Sequence, residues 1–273
     1  MLENEKPKPH KRYPFGYYGG KNQMLKYIKP NIPSHTLYCE AFVGGGAVFW
    51  AKPPSKIEII NDKNNLISNF YEVVKTDFQA LRDKVSITLH SQDAYRTAKL
   101  IYNTPMVYSK LERAWAVWTL CNMSYGSIPG AGFAFQRKTK NSCAMKVHNK
   151  RLLFENSDFL LDRLSTVTVE NNDACFVIKR YDSKDSFFYL DPPYINSAQG
   201  HYSGYTEENY RELLSLVETI KGKFLLSSYP SDILDEFVKR NGWYQIKIEK
   251  AMSMVNNTRK KIEVLTANYP IKV

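Results

Sequence analysis

The sequence feature that most limits the possible folds of this chain is a glycine-rich turn between two apolar strands. Residues 36–42 have the composition of a strand and run into Gly44-Gly45-Gly46, after which a short helix is predicted. A second strand over residues 57–60 ends at Asp62, and apolar residues at helical spacing follow over residues 66–74. This order of strand, glycine turn, helix, strand and helix predicts the start of a doubly wound, Rossmann-like α/β sheet.

The middle of the chain interrupts this pattern. Helical stretches, notably residues 108–121, precede an irregular run rich in Gly, Ser, Pro and Lys over residues 122–150. We therefore expect a mainly helical inserted domain over residues 77–153, within a catalytic domain made of residues 1–76 and 154–273. The predicted later elements are strands at 166–170, 186–190, 223–228, 245–249 and 262–268, and helices at 207–220, with Thr206 as its N-cap, and 233–240.

The charge of the chain favours a polyanionic partner. The formal net charge is +11 and the pI is about 9.3, although a basic protein without such a partner stays possible on charge alone. The basic residues cluster over residues 137–151, over residues 259–261 and in residues 1–14, which are predicted to form a flexible arm.

Composition also bears on metals and membranes. The four cysteines form no CxxC pair and the five histidines are scattered, so we expect no metal site and four buried free thiols. No apolar run approaches the roughly 18 residues of a membrane span, and the N-terminus lacks an apolar signal segment. We therefore expect a cytoplasmic protein without a membrane partner.

The acid that follows the second strand suggests a nucleoside ligand. Asp62 lies 18 residues beyond Gly44, where a doubly wound nucleotide site binds ribose hydroxyls. The alternative role is an N-cap of the next helix, and both roles are compatible. No Gly-Lys-Ser/Thr follows the glycines, which favours a nucleoside over a nucleotide.

The tetrapeptide Asp191-Pro192-Pro193-Tyr194 indicates a reaction. It follows the apolar run of residues 187–190 directly. Two prolines remove two backbone N–H donors and fix two φ angles, so nearby carbonyls can accept other hydrogen bonds. A carboxylate, a carbonyl and an aromatic ring together suit a planar heterocycle with an exocyclic amino group. The alternative is a proline-rich turn with an aspartate cap.

Taken in order, these motifs resemble the Dam-like (D12) class of DNA adenine-N6 methyltransferases, which use S-adenosylmethionine. The resemblance runs nearly end to end. It rests on five segments: Tyr17-Tyr18-Gly19-Gly20-Lys21, residues 40–49, Ile60-Asn61-Asp62, Asp191-Pro192-Pro193-Tyr194 and residues 259–265.

The resemblance implies a set of cofactor residues. Tyr17 and Lys21 would lie near the methionine half of the cofactor, and Asp173 near its adenine, although Ala174 stands where the family often has an aromatic residue. The whole implied set is Tyr17, Lys21, Phe42, Val43, Gly44, Gly45, Gly46, Asp62, Asp173 and Asp191.

The resemblance also implies how the reaction proceeds. The N6 amino group of adenine would donate hydrogen bonds to Asp191 and to the Pro192 carbonyl, which concentrates its lone pair toward the methyl group. Tyr194 would stack on the base, which must leave the duplex to reach the site. No covalent enzyme intermediate and no cysteine are needed.

DNA contacts are expected mainly from the insertion. Residues 122–132 resemble the family's DNA-facing element, and Gly16 stands where many relatives carry a lysine. The candidate contacts are Asn122, Ser124, Tyr125, Arg137, Lys138, Arg259 and Lys260, with Arg137 and Lys138 favouring phosphate.

We therefore predict a site-specific adenine methyltransferase acting on double-stranded DNA. We expect a monomer in a prokaryotic cell or a phage-infected host, with a restriction endonuclease as a functional partner in one setting. The alternatives are a non-catalytic DNA-binding relative, or an amino-methyltransferase for RNA adenine or cytosine N4. An aspartate at the first position of the tetrapeptide favours adenine.

Overall fold

The computed structural model describes residues 13–136, 142–156, 158–194, 205–251 and 260–272. Most of the predicted basic arm, residues 1–12, lies outside these ranges. Its last two residues are packed rather than flexible. The Lys150 ammonium lies 3.4 Å from the centre of the Tyr13 ring, and the Asn122 side-chain amide donates to the Pro14 carbonyl at 3.4 Å.

The strands and helices follow the predicted α/β order. The strands are β1 Leu37–Glu40, β2 Ile57–Asn61, β3 Val167–Glu170, β4 Ser186–Leu190, β5 Lys223–Ser228, β6 Tyr244–Ala251 and β7 Lys260–Ala267. The helices are α1 Leu25–Ile28, α2 Ala47–Ala51, α3 Asn65–Thr76, α4 Phe78–Ser86, α5 Gln92–Asn103, α6 Lys110–Met123, α7 Cys143–Glu155, α8 Phe159–Leu164, α9 Ala174–Tyr181, α10 Glu207–Val217 and α11 Asp232–Asn241.

The seven strands form one sheet in the order β3-β2-β1-β4-β5-β7-β6. Strands β2, β1, β4 and β5 pair in parallel, whereas β7 runs antiparallel to β5 and β6. This order, with helical connections between the parallel strands, confirms the predicted Rossmann-like α/β class.

The chain separates into two compact units. The first consists of Met1–Asn22, Gly44–Pro54 and Asp62–Asn171, and the second of Gln23–Val43, Ser55–Asn61 and Asn172–Val273. The limits predicted for the insertion, residues 77–153, stay a prediction.

In the second unit, strand β4 explains why the Asp-Pro-Pro-Tyr tetrapeptide begins at residue 191. All five residues of β4 are buried, because the strand is paired on both sides and covered on both faces. Its register places Phe188 beside Cys39 of β1 and Phe224 of β5. The carboxyl ends of these parallel strands therefore meet at one edge of the sheet. Since β7 is antiparallel, with Val264 beside Ser228, its start lies at the same edge.

Helices α9 and α11 both pack against α10 in this unit. Their buried stripes complete a core with Phe188, Leu226 and Val264. Thr206 is the N-cap of α10, as predicted, and forms a capping box with Asn209.

In the first unit, α6 packs against α3 and α5. It begins with a capping box between Ser109 and Glu112. The irregular run predicted up to residue 150 is wrong from residue 143, because α7 occupies Cys143–Glu155. Ser142 caps this helix, no Gly or Pro interrupts it, and Val147 and Phe154 bury one face.

Three further expectations concern thiols, metals and membranes. None of the four cysteines, all of which lie in the described ranges, forms a disulfide bond, and Cys143 is partly exposed where a buried thiol was predicted. In the described ranges, no three His, Cys, Asp or Glu side chains are grouped as potential metal ligands. Within those same ranges, no helix combines the length and apolar character that crossing a membrane requires.

Candidate active site

The glycine turn of the first unit is held by the predicted ribose-binding acid. The Gly44 backbone N–H donates to Asp62 Oδ2 at 2.9 Å, and the Asn64 N–H donates to Asp62 Oδ1 at 2.8 Å. The Tyr71 hydroxyl donates to the Gly44 carbonyl at 2.8 Å. Asn64, not Asp62, is the N-cap of α3. One oxygen of Asp62 therefore holds the glycine turn and the other holds the residue that caps α3, and the lone pairs that remain can accept from a ligand.

Burial of Asp62 changes its acidity. Loss of hydration raises the pKa of this carboxyl from 3.8 to about 6, although the N–H groups of Asn64 and Gly44 act in the opposite direction. The carboxylate is thus ionised at neutral pH, and a modest fall in pH protonates it.

Tyr17 packs directly on the glycine turn. A Cβ added at Gly45 would lie 2.7 Å from Tyr17 Cβ, and one added at Gly44 would lie 2.8 Å from Tyr17 Cδ1. Gly44 also has a φ of 46°, a backbone angle that residues with a side chain rarely adopt. Lys21 is buried, and its ammonium donates to the Gly19 carbonyl at 2.8 Å. The structure thus brings Tyr17, Gly44, Gly45 and Asp62 together.

Gly46, also in the first unit, is the N-cap of α2 and has a φ of 65°. The other predicted cofactor residues, Phe42, Val43, Asp173 and Asp191, belong to the second unit. The Val43 N–H donates to the carbonyl of Asn61, the last residue of β2, at 2.8 Å. Asp173 is the N-cap of α9 and accepts from the Cys175 N–H at 2.9 Å. Phe42 contacts Tyr205 edge to face, with ring centres 6.3 Å apart.

Sequence reasoning missed Tyr205. Burial raises the pKa of its hydroxyl, and Tyr210, Cys175 and Asp173 add to the rise. Tyr205 therefore lies near both Phe42 and Asp173. It falls in no motif, so only the tertiary structure identifies it.

The Asp-Pro-Pro-Tyr tetrapeptide begins at the carboxyl end of β4. Asp191 follows the buried Leu190 directly and is itself partly exposed, whereas Pro192 is buried. Burial raises the pKa of Tyr194 well above 10, and the charges of Asp191 and Glu263 raise it further, while Ser227 opposes the rise. The Tyr194 side chain is therefore neutral and lies near the acidic groups of Asp191 and Glu263.

Glu263 is a second residue that the sequence did not single out as part of the site. It lies near the start of β7 with only 6% of its surface exposed. Its charge acts on the Tyr194 hydroxyl. In the sequence, Glu263 was noted only as one residue of a basic strand. The antiparallel pairing of β7 with β5 brings Glu263 to the edge of the sheet where the parallel strands have their carboxyl ends.

Tyr229 is a third such residue. It follows β5, the parallel neighbour of β4, and its ring centre lies 4.1 Å from that of Tyr194. Both rings line a cavity of about 420 Å³ in the second unit. Pockets of a few hundred cubic ångströms are typical of small-molecule sites.

The candidate DNA contacts in the first unit differ in accessibility. Asn122 and Ser124 are buried, and the Asn122 amide donates to the Trp118 carbonyl at 2.9 Å. The Tyr125 side chain is 47% exposed. Ser124 forms an antiparallel bridge with Phe133, so Tyr125 begins the loop that this bridge closes. Of these three candidates, Tyr125 alone presents an exposed side chain.

The side chains of the basic candidates are not among those that the structure describes. Arg137, Lys138 and Arg259 lie outside the described residues. Lys260 begins β7, and its side chain is likewise not among those described. Their proposed DNA contacts stay predictions.

A Rossmann-like sheet with an Asp-Pro-Pro-Tyr loop after β4 is the arrangement of an amino-methyltransferase. Residues 17–255 match the D12 class N6 adenine-specific DNA methyltransferase family. The chain belongs to this family.

Curated relatives agree with this assignment. The Type II methyltransferase M1.LlaDCHI of Lactococcus lactis subsp. cremoris is 25% identical, over 92% of this chain and 93% of its own length. The DNA adenine methylase of Escherichia coli strain K12 is 24% identical, over 92% of each chain. The Type II methyltransferase M.MjaIII of Methanocaldococcus jannaschii is 25% identical, over 92% of this chain and 96% of its own length.

Proposed function

We propose that this protein transfers a methyl group from S-adenosylmethionine to N6 of an adenine flipped out of duplex DNA. The observation that carries the proposal is the position of Asp191-Pro192-Pro193-Tyr194 at the carboxyl end of the buried strand β4. Ligands of open α/β sheets bind at this edge.

The donor groups of the chain fit S-adenosylmethionine. Asp62 supplies a carboxylate with acceptor capacity for ribose hydroxyls, and Lys21 supplies a cation suited to the methionine carboxylate. The glycine turn, with Phe42 and Val43 before it, offers backbone groups, and Asp173 an acid for the adenine amino group. When bound, S-adenosylmethionine supplies a methyl group carried on a positively charged sulfur.

Asp191 and the Pro192 carbonyl would act on the target base. The N6 lone pair of adenine is delocalised into the ring, which makes N6 a poor nucleophile. Hydrogen bonds donated by N6 to the Asp191 carboxylate and to this carbonyl favour a tetrahedral nitrogen with a localised lone pair. Asp191 also stabilises the positive charge that develops on N6 and accepts the proton that N6 then loses. Stacking on Tyr194 holds the base in line for transfer.

DNA binding would use basic residues of the insertion and of the segment around the start of β7. The net charge of +11 favours contact with phosphates, and we assign such contacts to Arg137, Lys138, Arg259 and Lys260. Tyr125 is the exposed candidate for contact with bases near the target. We keep residues 77–153 as the proposed target-recognition region.

Asp191→Ala tests the proposal. Methylation of duplex DNA should be lost because the acceptor for N6 is removed, while DNA binding should be retained. The measurements are methyl transfer to duplex oligonucleotides and a binding titration with the same DNA, after sequencing of methylated adenines in expressing cells has identified the site.

Asp235→Ala is the matched control, since Asp235 is an exposed acid of α11. It should methylate at the normal rate. Normal methylation by Asp191→Ala would refute the mechanism. Wild-type activity on RNA but not on duplex DNA would refute the substrate.

A further inference from the structure

The aromatic ring that follows β5 lies in contact with the catalytic tetrapeptide. Strands β4 and β5 are parallel neighbours, with Leu190 beside Leu226. Residues just beyond their carboxyl ends therefore meet, and Tyr229 reaches Tyr194 with ring centres 4.1 Å apart and ring planes inclined at 49°. Tyr229 belongs to none of the motifs that identified the family.

The two inclined rings bound a common cavity. Its volume is about 420 Å³. Pro192, Pro193 and Pro230 also line it, and their fixed φ angles give it a rigid wall. The acidic residues Glu207 and Asp232 line it as well, at the first residues of α10 and α11. Aromatic and proline walls with acceptor groups suit a flat heterocycle that carries an amino group.

The geometry excludes a base held between the two rings. A base stacked between parallel rings needs about 7 Å between them, twice the contact distance of roughly 3.5 Å between carbon atoms. The observed 4.1 Å is too short. A purine in the cavity can instead stack on one ring and meet the other with its edge, which is a favourable aromatic arrangement.

We propose that Tyr229 is a further positioning residue for the target base: the flipped adenine stacks on Tyr194 and packs its edge against Tyr229. This inference rests on the function proposed above. The inclination of Tyr229 fixes the ring of Tyr194 and limits how far the base can tilt. The contribution comes from the ring of Tyr229 rather than from its hydroxyl.

Three variants distinguish the contribution of the Tyr229 ring from that of its hydroxyl and from that of simple packing. Tyr229→Leu fills much of the volume without an aromatic face, so the Michaelis constant for duplex DNA should rise by roughly two- to tenfold, the range that corresponds to one aromatic contact. Tyr229→Phe keeps the ring and should behave as wild type. Tyr244→Leu replaces an exposed tyrosine of β6 and should change nothing.

The assay is steady-state methylation of the identified duplex site. S-adenosylmethionine affinity and thermal unfolding are measured on the same preparations. The fluorescence of 2-aminopurine at the target position reports the environment of the flipped base, and Tyr229→Leu should change it while Tyr229→Phe does not.

The outcomes distinguish the inference from the function beneath it. Wild-type protein without adenine methylation would overturn the proposed function itself. Normal wild-type methylation with an unchanged Michaelis constant in Tyr229→Leu would overturn the role of Tyr229 alone. So would an equal defect in Tyr229→Phe, or a loss of S-adenosylmethionine affinity in Tyr229→Leu that matches the loss for DNA.

Discussion

Replacing Asp62 by asparagine should change how the stability of the protein depends on pH. In the folded protein, burial raises the pKa of Asp62 from 3.8 to about 6. The folded state therefore binds a proton more readily than the unfolded state. For a carboxyl whose folded pKa is raised, stability is greatest below the unfolded pKa and is lost as the pH rises through the folded pKa.

The size of the effect follows from the two pKa values. The rise from 3.8 to about 6 corresponds to about 3 kcal/mol against the ionised form once ionisation is complete. Between pH 5 and pH 7.5, the linkage relation gives a loss of about 1.4 kcal/mol in the free energy of unfolding. Asp62→Asn cannot ionise and should lack this component.

Asp62→Asn also has a cost that does not depend on pH. Asparagine has one acceptor oxygen, whereas the carboxylate accepts from both Gly44 and Asn64. One N–H donor then faces an amide NH₂ group, which costs about 1–3 kcal/mol. The variant can therefore be about as stable as wild type at pH 7.5 and clearly less stable at pH 5.

Urea unfolding of both proteins at pH 5 and pH 7.5, without cofactor, measures the difference. Other titrating groups are shared and cancel in the comparison. An equal pH dependence in the two proteins would refute the raised pKa of Asp62. In the same pH range, S-adenosylmethionine affinity of wild type should fall about tenfold from pH 7.5 to pH 5, because about one-tenth of a carboxyl of pKa 6 is ionised at pH 5.

Two further predictions concern single positions in the second unit. Gly222→Ala should cost about 1–3 kcal/mol or more, because its Cβ would lie 2.7 Å from the Ser186 carbonyl oxygen. Gly242→Ala meets no atom within 4 Å and should cost only the strain of a positive φ, about 1–2 kcal/mol; a urea midpoint of Gly222→Ala equal to that of wild type would contradict the predicted clash. Asp173→Ala should lose about 1 kcal/mol of stability with its N-cap, whereas Asp173→Asn keeps the cap. Reduced S-adenosylmethionine affinity in both variants would support a cofactor role, and normal affinity in Asp173→Asn would contradict it.

Apolar pattern was enough to locate the buried strands. The predicted bounds of β4 and β5 agree with Ser186–Leu190 and Lys223–Ser228, because a fully buried strand is a short apolar run that turn residues interrupt. Pattern failed at α7, which begins inside the run of residues 122–150 that was predicted to be irregular from its content of Gly, Ser, Pro and Lys. The Ser142 cap and one apolar face are weak signals in the sequence. They are sufficient to form a helix once that face is packed against the rest of the protein.

The glycine turn of the candidate site also shows the difference between what the sequence predicted and what only the structure reveals. The spacing of Gly44 and Asp62 predicted a nucleoside site to which both residues belong. Spacing gave no indication of Tyr17 as the residue packed on that turn, or of the burial that raises the pKa of Asp62. Hydration of a carboxyl depends on every segment around it, and these segments are distant in the chain.

The sequence by itself determined the class of fold and the order of the motifs, and it predicted the chemistry of Asp191-Pro192-Pro193-Tyr194, because these depend on residues that are adjacent in the chain. Only the tertiary structure decided which side chains join that tetrapeptide. Tyr229 and Glu263 arrive there from β5 and β7. The physical reason is that pairing between strands, set by the whole core, brings the ends of distant segments to one edge of the sheet.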